Sequence, residues 1–366
     1  MRIDRLVLTD FRNYGRLVLA PENRLVVLTG ENGAGKTNLL EALSLLAPGR
    51  GLRAASNAQI QRDDGGPWGV MARLSQGADQ PVELATGADP ANPSRRIFRL
   101  DGDLIRHQGR IAPYFSAIWL TPQMDRLFSE AASGRRRFLD RLVLALDPNH
   151  ARESAAQERA LTQRNRLLAT QPDQTIWLDG LEDSIARHAV ALTASRMALV
   201  DAMNRGPARD DTSFPVARLR LVCDISENLV DQPAVAVEDR LRHALRAARR
   251  EDAMRGITSF GAHKADLLLE DAVTGRPASC SSSGQQKAML VHVVLNHALL
   301  TSGKAGRAPL VLLDEPLNHL DAARRDALLA CLRERDMSVF MTGTDREAFH
   351  ILRDDADFRE ITLGRM

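Results

Sequence analysis

The stretch Gly30–Thr37 has the residue types and spacing of a phosphate-binding loop. It reads Gly-Glu-Asn-Gly-Ala-Gly-Lys-Thr and fits the pattern G-x-x-x-x-G-K-[ST]. Glycines let successive backbone N–H groups point at a phosphate, and the N-terminus of the following helix adds favourable partial charge. Lys36 then reaches the β- and γ-phosphates, and the Thr37 hydroxyl takes one Mg²⁺ position. The expected nucleotide contacts in this segment are Gly30, Glu31, Asn32, Gly33, Ala34, Gly35, Lys36, Thr37 and Asn38.

The sequence on both sides of this loop predicts a strand before it and a helix after it. Leu25–Thr29 is a continuous run of leucine and β-branched residues, which is typical of a buried strand. Asn38–Leu46 has helical composition and is followed by Pro48 and Gly49, which end helices. Strand, glycine-rich loop and helix form the context in which this pattern binds nucleotides, so we expect ATP with Mg²⁺.

A pair of acids, Asp314 and Glu315, follows the apolar run Leu310–Leu313. At the carboxyl end of a parallel strand beside the phosphate-binding loop, Asp314 would hold Mg²⁺ together with Thr37. Glu315 would orient or deprotonate the attacking water. We therefore expect Lys36, Asp314 and Glu315 to be catalytic, with Thr37 and Asp314 as metal ligands. A strand capped by solvated acids is the alternative interpretation of this segment.

Two further segments match motifs of ABC-type ATPases. Ser281–Lys287 contains Ser-x-Gly-Gln-Gln ahead of a predicted helix, as in the ABC signature, and Pro316–Asp321 ends in Leu-Asp like the D-loop that contacts a second subunit. In this class the signature, here Ser282, Gly284 and Gln285, faces the γ-phosphate held by the opposite subunit, which adds Ser282 to the catalytic set. We therefore expect an ATP-dependent homodimer. The alternative interpretation is that this serine only caps its helix and has no role in nucleotide binding.

Composition predicts a soluble protein with two lobes. The chain has 366 residues, of which 44% are apolar and 26% charged, and it exceeds the length at which a single core usually stops growing. It contains no run of about 18 apolar residues, so we expect no membrane association. Its three cysteines are isolated from one another, which favours a reducing compartment and hence a cytoplasmic location.

The pattern of elements predicts an α/β fold: a P-loop ABC-type ATPase head, with a mixed sheet and flanking helices, interrupted by a mainly helical second lobe. Strand-like runs dominate the first third of the chain, where Gly87–Pro93 has the composition of a surface loop. Helical spacing dominates the middle, and helix–strand alternation returns at Gln285. The predicted boundaries are 1–125 and 257–366 for the nucleotide-binding lobe and 126–256 for the helical insertion. The helices predicted in that insertion are Arg135–Leu146, Arg152–Thr170, Ile176–Met203 and Val237–Met254.

Over essentially its whole length the chain resembles the RecF family of bacterial recombination mediators, which belongs to the ABC- and SMC-like ATPases. The segments that carry this resemblance are Phe11–Tyr14, Gly33–Ala42, Gly49–Arg53, Arg135–Asp140, Gly261–Leu267 and Ser282–Lys287. The resemblance implies a cytosolic, weak ATPase that dimerises on ATP and binds duplex DNA near gaps. With RecR and RecO it would help to load RecA on single-stranded DNA during repair and at stalled forks.

The resemblance also directs attention to two further nucleotide contacts and to some departures. We assign Arg12, in the Phe-Arg-Asn-Tyr segment, to the nucleotide site, and Gln123 is the candidate Q-loop residue. Relatives commonly carry two aspartates where Asp314 and Glu315 stand, and they lack the Pro316–His319 segment. Gly343–Asp345, at the switch position, contains no histidine.

Clustered arginines are the candidate DNA contacts. Within Arg240–Arg255 a basic stripe falls on one face of a predicted helix, opposite Leu241 and Leu245. We expect it to face duplex phosphates without sequence preference, and the 4% aromatic content disfavours a base-stacking platform. A solvated face is the alternative. The predicted DNA-binding residues are Arg135, Arg136, Arg137, Arg242, Arg246, Arg249 and Arg250.

Two other function classes compete with this interpretation. A motor subunit of an ABC transporter, or another ABC ATPase motor, is the first, and the helical insertion and the missing switch histidine argue against it. An SMC-type break-repair ATPase is the second, and it needs a long coiled coil between Lys36 and Ser282 that this sequence lacks.

Overall fold

The computed structural model describes residues 1–75, 80–206, 215–305 and 308–364. The chain divides into two compact units. The first combines Met1–Arg126 with Ser281–Met366, and the second combines Leu127–Pro207 with Ala217–Cys280.

The first unit contains a six-stranded antiparallel sheet in the order β2-β1-β4-β5-β6-β7. The first two strands of this sheet form an N-terminal hairpin, in which Leu8 is paired to Leu17. The prediction of a surface loop at Gly87–Pro93 is wrong, because most of this segment belongs to two paired strands and only Pro90 and Ala91 form the turn between them. The strands are β1 Arg2–Phe11, β2 Tyr14–Leu19, β4 Gly69–Ser75, β5 Val82–Asp89, β6 Asn92–Leu100 and β7 Asp103–Ile105.

The same unit contains a five-stranded parallel sheet in the order β13-β3-β12-β11-β8. Its central strands are apolar and fully buried, which is what a parallel sheet covered on both faces requires. Helix α1 contacts strands of both sheets and buries Leu39 and Leu43 between them. The strands are β3 Leu25–Thr29, β8 Ala117–Leu120, β11 Leu310–Leu313, β12 Val339–Thr342 and β13 Phe358–Thr362, and the helices are α1 Lys36–Leu46, α2 Asn57–Ile60, α9 Ser283–Ala305 and α10 Ala322–Glu334.

The second unit is mainly helical, as predicted, and also contains a two-stranded antiparallel sheet. Strand β9 pairs with β10, Leu219 lying opposite Leu269. The sequence places the end of this lobe at residue 256, whereas the unit runs to Cys280, because β10 finds its partner strand within it. The elements are α3 Ala132–Leu146, α4 Asn149–Thr170, α5 Thr175–Asn204, β9 Ala217–Val222, α6 Asp224–Asp231, α7 Ala234–Ala247, α8 Arg249–Arg255 and β10 Asp266–Asp271.

One predicted helix of this unit is two helices. The periodicity of Val237–Met254 predicts a continuous helix, but α7 ends and α8 begins at Ala248. The alternation of apolar and polar residues over Phe214–Val222 predicts a strand. Strand β9 begins at Ala217, and Phe214 itself lies outside the described residues.

The predicted fold class, an ATPase head of the α/β type with an inserted helical lobe, is confirmed. Among the described residues, no helix combines the length and apolarity needed to cross a membrane.

Candidate nucleotide-binding site and arginine clusters

The predicted phosphate-binding loop connects β3 to α1, as the sequence implies. Lys36 begins α1, and its side chain is turned back into the loop, where Nζ donates to the carbonyl oxygens of Gly30 at 2.7 Å and Glu31 at 3.0 Å. Lys36 is only 6% exposed. A buried ammonium held by neutral carbonyls can exchange them for phosphate oxygens, which makes this the central cation of the site.

Two loop positions require glycine for both conformation and space. Gly35 has φ +93°, and a Cβ there would lie 2.4 Å from the Tyr14 hydroxyl oxygen. Gly30 has φ +141°, and a Cβ there would lie 2.4 Å from the carbonyl oxygen of Leu363. The Tyr14 hydroxyl and the Leu363 carbonyl oxygen therefore pack closely against the loop. Burial raises the pKa of Tyr14 to about 12, so its hydroxyl stays protonated.

Thr37 and Asp314 are in direct contact at the carboxyl edge of the parallel sheet. The Thr37 hydroxyl donates to both carboxylate oxygens of Asp314, at 3.0 and 3.1 Å, and the Thr342 hydroxyl donates to Oδ1 at 2.8 Å. Asp314 is 3% exposed. A hydroxyl and a carboxylate oriented by a third residue form the hard oxygen donor set that Mg²⁺ prefers, so these two residues fit the predicted metal position.

Glu315 has a constrained backbone beside this pair. Its φ is +50°, an unusual value for a residue with a side chain, and its N–H donates to the Thr342 hydroxyl at 2.8 Å. Its carboxylate accepts a 2.6 Å hydrogen bond from the Asn318 side chain and is partly exposed. Both predicted acids therefore lie at the same strand end, but only Asp314 is buried.

The signature segment forms the N-terminus of α9. Ser282 and Gln285 cap each other: the Gln285 N–H donates to the Ser282 hydroxyl, and the Ser282 N–H donates to the Gln285 side-chain oxygen at 3.0 Å. Ser282 therefore does cap its helix, as the alternative interpretation expects, and it is also exposed. A Cβ on Gly284 would lie 2.6 Å from the carbonyl oxygen of His319, so the glycine permits close packing of the predicted signature and D-loop.

Gln123 lies in the 3-10 turn Pro122–Arg126 directly after β8, a neighbour of the strand that carries Asp314. This is the position of a Q-loop residue, and its side chain is exposed. Sequence reasoning missed Lys287, which is buried and contacts both this turn and the backbone of Glu315. Its place inside the signature segment was the only available signal.

Arg12 is held by α1. Its guanidinium makes a two-pronged contact with Glu41, at 2.9 and 2.6 Å, and donates to the Gln59 carbonyl oxygen at 2.6 Å. Arg53, which the sequence did not single out for a role, donates to the Glu41 carboxylate and to Asn38. The Arg12 side chain thus makes three hydrogen bonds to two residues of the protein, and its predicted nucleotide contact remains a prediction.

The first arginine cluster is largely engaged within its own unit. Arg135 makes a two-pronged contact with Asp266, at 2.7 and 2.9 Å, and its third nitrogen donates to two backbone carbonyls. The hydrogen bonds that Arg135 donates to Asp266 raise the pKa of Arg135 further. Arg136 donates to the Ala265 carbonyl oxygen at 2.8 Å. Arg137 is exposed and makes no ion pair with the described part of the chain.

The second arginine cluster faces acids of α5, which changes its interpretation. Arg242 contacts Asp183 at 2.6 Å, Arg246 contacts Asp179 at 2.8 Å, and Arg249 contacts Glu182 and Asp179, each at 2.5 Å. Hydrogen bonds from Arg249 and then Arg246 lower the pKa of Asp179. Three arginines of the predicted stripe are therefore neutralised by the neighbouring helix, which the sequence did not reveal. Arg250 is exposed, without an ion pair among the described residues.

Comparisons with known proteins agree with this architecture. The family model described as "AAA domain, putative AbiEii toxin, Type IV TA system" matches residues 25–338. The chain is 42% identical to the DNA replication and repair protein RecF of Mesorhizobium japonicum over 99% of this chain and 96% of that protein. It is also 42% identical to the protein of that name from Rhizobium rhizogenes, over 99% and 97% of the two chains.

Solved structures give the same answer for the fold. The chain matches a structure of the recombination mediator protein RecF-ATPrS in the RecFOR pathway with a TM-score of 0.84, at 19% identity and over 99% of this chain and 96% of that one. An Smc head domain from Pyrococcus furiosus matches with a TM-score of 0.52, at 14% identity and over 99% and 94% of the two chains. The full-length identity to curated relatives decides the assignment: this chain belongs to the RecF family of DNA replication and repair proteins.

Proposed function

We propose that this chain is an ATPase that controls its own binding to DNA during replication and repair. The observation that carries the proposal is the contact of Thr37 with Asp314, because it joins the phosphate-binding loop to the acidic strand end within one buried network. The solved relatives named RecF-ATPrS and RecF-ATP support ATP as the nucleotide. Thr37 and Asp314 would hold Mg²⁺, which when bound offsets the charge of the phosphates.

The side chains have separate tasks in this proposal. Lys36 leaves the carbonyls of Gly30 and Glu31 and donates to the β- and γ-phosphates. Glu315, partly exposed beside Asp314, orients the attacking water or accepts its proton.

Dimerisation follows from the exposed start of α9. Ser282 lies at a helix N-terminus, where N–H groups and hydroxyls favour an anion, and it is exposed to a second copy. ATP would be shared between Lys36 of one copy and Ser282 of the other, so that ATP joins the copies and slow hydrolysis separates them.

The DNA role rests on family membership and on the remaining exposed arginines. We propose duplex DNA near gaps as the ligand, RecR together with RecO as protein partners, and RecA loading as the outcome; the RecFOR pathway named for a solved relative supports these partners. Among the described residues, Arg137 and Arg250 are the members of the two predicted clusters that are exposed and make no ion pair, and they are the preferred phosphate contacts.

The test compares the wild-type chain with Glu315→Gln in the presence of ATP, ADP or no nucleotide. Sedimentation should show dimers with ATP only, and Glu315→Gln should retain them after the wild type has returned to monomer. Duplex and gapped DNA should bind the ATP form more tightly than single strands do. Glu83→Gln, an exposed glutamate of β5, is the matched control. A monomer–dimer equilibrium that ignores ATP contradicts the proposal.

A further inference from the structure

Lysine is rare in this chain, and its positions are therefore informative. Of 49 basic residues only four are lysines: Lys36, Lys264, Lys287 and Lys304. Lys36 and Lys287 are both buried, and Lys287 is 1% exposed. A lysine ammonium is a compact point donor, whereas an arginine guanidinium is a wide planar fork. A chain that uses arginine almost everywhere thus keeps a buried lysine at a second position of the candidate site.

Lys287 joins three elements of the first unit. It lies on α9, and its Nζ donates to Oδ2 of Asp125 at 3.1 Å and to the carbonyl oxygen of Glu315 at 3.0 Å. Asp125 belongs to the 3-10 turn that carries Gln123. The other carboxylate oxygen of Asp125 is buried, and no hydrogen-bond partner for it exists among the described residues. Lys287 is therefore the cation that pairs with this half-buried carboxylate.

The contact with Glu315 fixes the backbone of a candidate catalytic residue. Glu315 adopts φ +50°, which a residue with a side chain keeps only when its surroundings hold it there. Its N–H is held by Thr342 and its carbonyl oxygen by Lys287, so both peptide groups that flank its Cα are anchored. The direction of the carboxylate follows from that backbone conformation.

We propose that Lys287 is a positioning residue for Glu315, an inference that rests on the proposed ATPase function. The ammonium does not reach the nucleotide; it holds the Glu315 peptide in the conformation that presents the carboxylate to the attacking water. Because Lys287 lies one and a half turns after Ser282 on α9, the helix that would meet the second copy also holds the hydrolytic carboxylate. Nucleotide affinity depends on Lys36 and is separate from this contact.

The experiment compares Lys287→Met with Lys264→Met, the same substitution at an exposed lysine of the second unit. For Lys287→Met we expect kcat for ATP to fall by about tenfold or more while the Kd for ATP changes by less than about threefold, since only the orientation of the carboxylate is lost. ATP should still drive dimerisation, and the dimers should persist longer than those of the wild type. Lys264→Met should match the wild type in all three measurements.

A second variant keeps the test decisive if Lys287→Met does not fold, because that substitution leaves the half-buried Asp125 carboxylate without a cation. Lys287→Met/Asp125→Asn removes both charges. It should fold and remain slow, because the Glu315 carbonyl oxygen keeps only the 3.3 Å hydrogen bond from the Asn318 N–H and still lacks the lysine donor. A folded variant with wild-type kcat, or an equal loss of kcat and ATP affinity, overturns the inference. ATP hydrolysis by the wild-type chain is measured before any variant is compared. If the wild-type chain does not hydrolyse ATP, the proposed function itself is overturned.

Discussion

Two buried cations of this chain, one in each unit, are held in different ways. In the first unit, Lys36 is held by two neutral backbone carbonyls. In the second unit, Arg164 is completely buried between two carboxylates, Glu182 at 3.0 Å and Asp252 at 2.7 Å. A cation on neutral carbonyls can move to a phosphate without leaving a charge behind, whereas a cation on carboxylates cannot. The partner of a buried cation therefore tells a ligand-binding residue from a structural one.

The same criterion separates the arginines of the second unit. Arg249 shares Glu182 with Arg164 and is thus an extension of the buried network, while Arg250, its neighbour in sequence, is exposed. Arg249 and Arg250 lie in an equally basic part of the sequence, but only Arg250 is exposed for a contact with a ligand such as DNA. The number of arginines in a stripe indicates the local charge and does not indicate which arginines are exposed.

Breaking the network of the second unit should give the largest effect. Arg164→Met leaves Asp252 buried without its cation, so we expect the free energy of unfolding to fall by about 3–5 kcal/mol. Urea unfolding followed by circular dichroism measures it. Arg187→Met removes an exposed ion pair with Asp183 on the same unit and should cost less than about 0.5 kcal/mol. Equal costs for the two variants would remove the distinction between buried and exposed arginine pairs.

A pH titration should show a smaller effect that belongs to the first unit. Burial, and then the charge of Arg335, lower the pKa of His292 to about 4 from the ordinary histidine value of 6.5. Between pH 4 and pH 6.5, His292 is therefore protonated in the unfolded chain and neutral in the folded chain. The free energy of unfolding consequently falls as the pH drops from 6.5 towards 4. At about 1.4 kcal/mol per pKa unit, the loss approaches ~3 kcal/mol.

His292→Gln isolates this contribution from that of the carboxylates. The variant should lose stability less steeply than the wild type between those pH values, and His350→Gln, at an exposed histidine of the same unit, should leave the slope unchanged. Parallel stability curves for the wild type and His292→Gln would show that His292 is protonated in the folded chain.

The nucleotide site was predictable from sequence because its parts are contiguous segments with strong local rules. The loop from Gly30 to Thr37 needs glycine at left-handed positions, and Asp314 follows a buried strand whose carboxyl end must lie at the sheet edge. The hairpin formed by β1 and β2 follows in the same way from a short turn between alternating segments. In each case the neighbouring residues in the sequence supply the physical constraint.

The contacts that the sequence did not predict are made between residues that lie far apart in the chain. The acids that neutralise Arg249 are 67 and 70 residues distant, and Asp125 is 162 residues from Lys287. No local pattern indicates which helix will face another, so a basic stripe cannot reveal that an acidic stripe covers it. The break at Ala248 is similarly invisible in the sequence, since alanine favours helix.

Lys36→Met should abolish ATP binding without destabilising the chain. The substitution removes a charged donor worth about 1.5–3 kcal/mol for each hydrogen bond to phosphate, so we expect the Kd to rise by roughly 100-fold or more. Titration calorimetry with ATP measures the affinity, and Lys264→Met serves as the control. The carbonyls of Gly30 and Glu31 carry no charge, so the substitution leaves no unpaired charge behind and the unfolding midpoint should stay close to that of the wild type. Unchanged affinity would place the nucleotide elsewhere.

The smallest effect should come from the arginines themselves and is best measured as salt dependence of DNA binding. If Arg137 and Arg250 each contact one phosphate, their joint replacement by alanine should flatten the plot of log K against log salt by about 1.8 units per subunit. Replacing Arg242, Arg246 and Arg249 should change the slope by less than about one unit, because carboxylates already neutralise them. If the triple variant instead loses about 2.7 units, these arginines exchange their carboxylates for phosphates on DNA. In that case the basic stripe predicted from sequence would be the DNA surface after all, and ion pairing in the chain alone would not identify structural arginines.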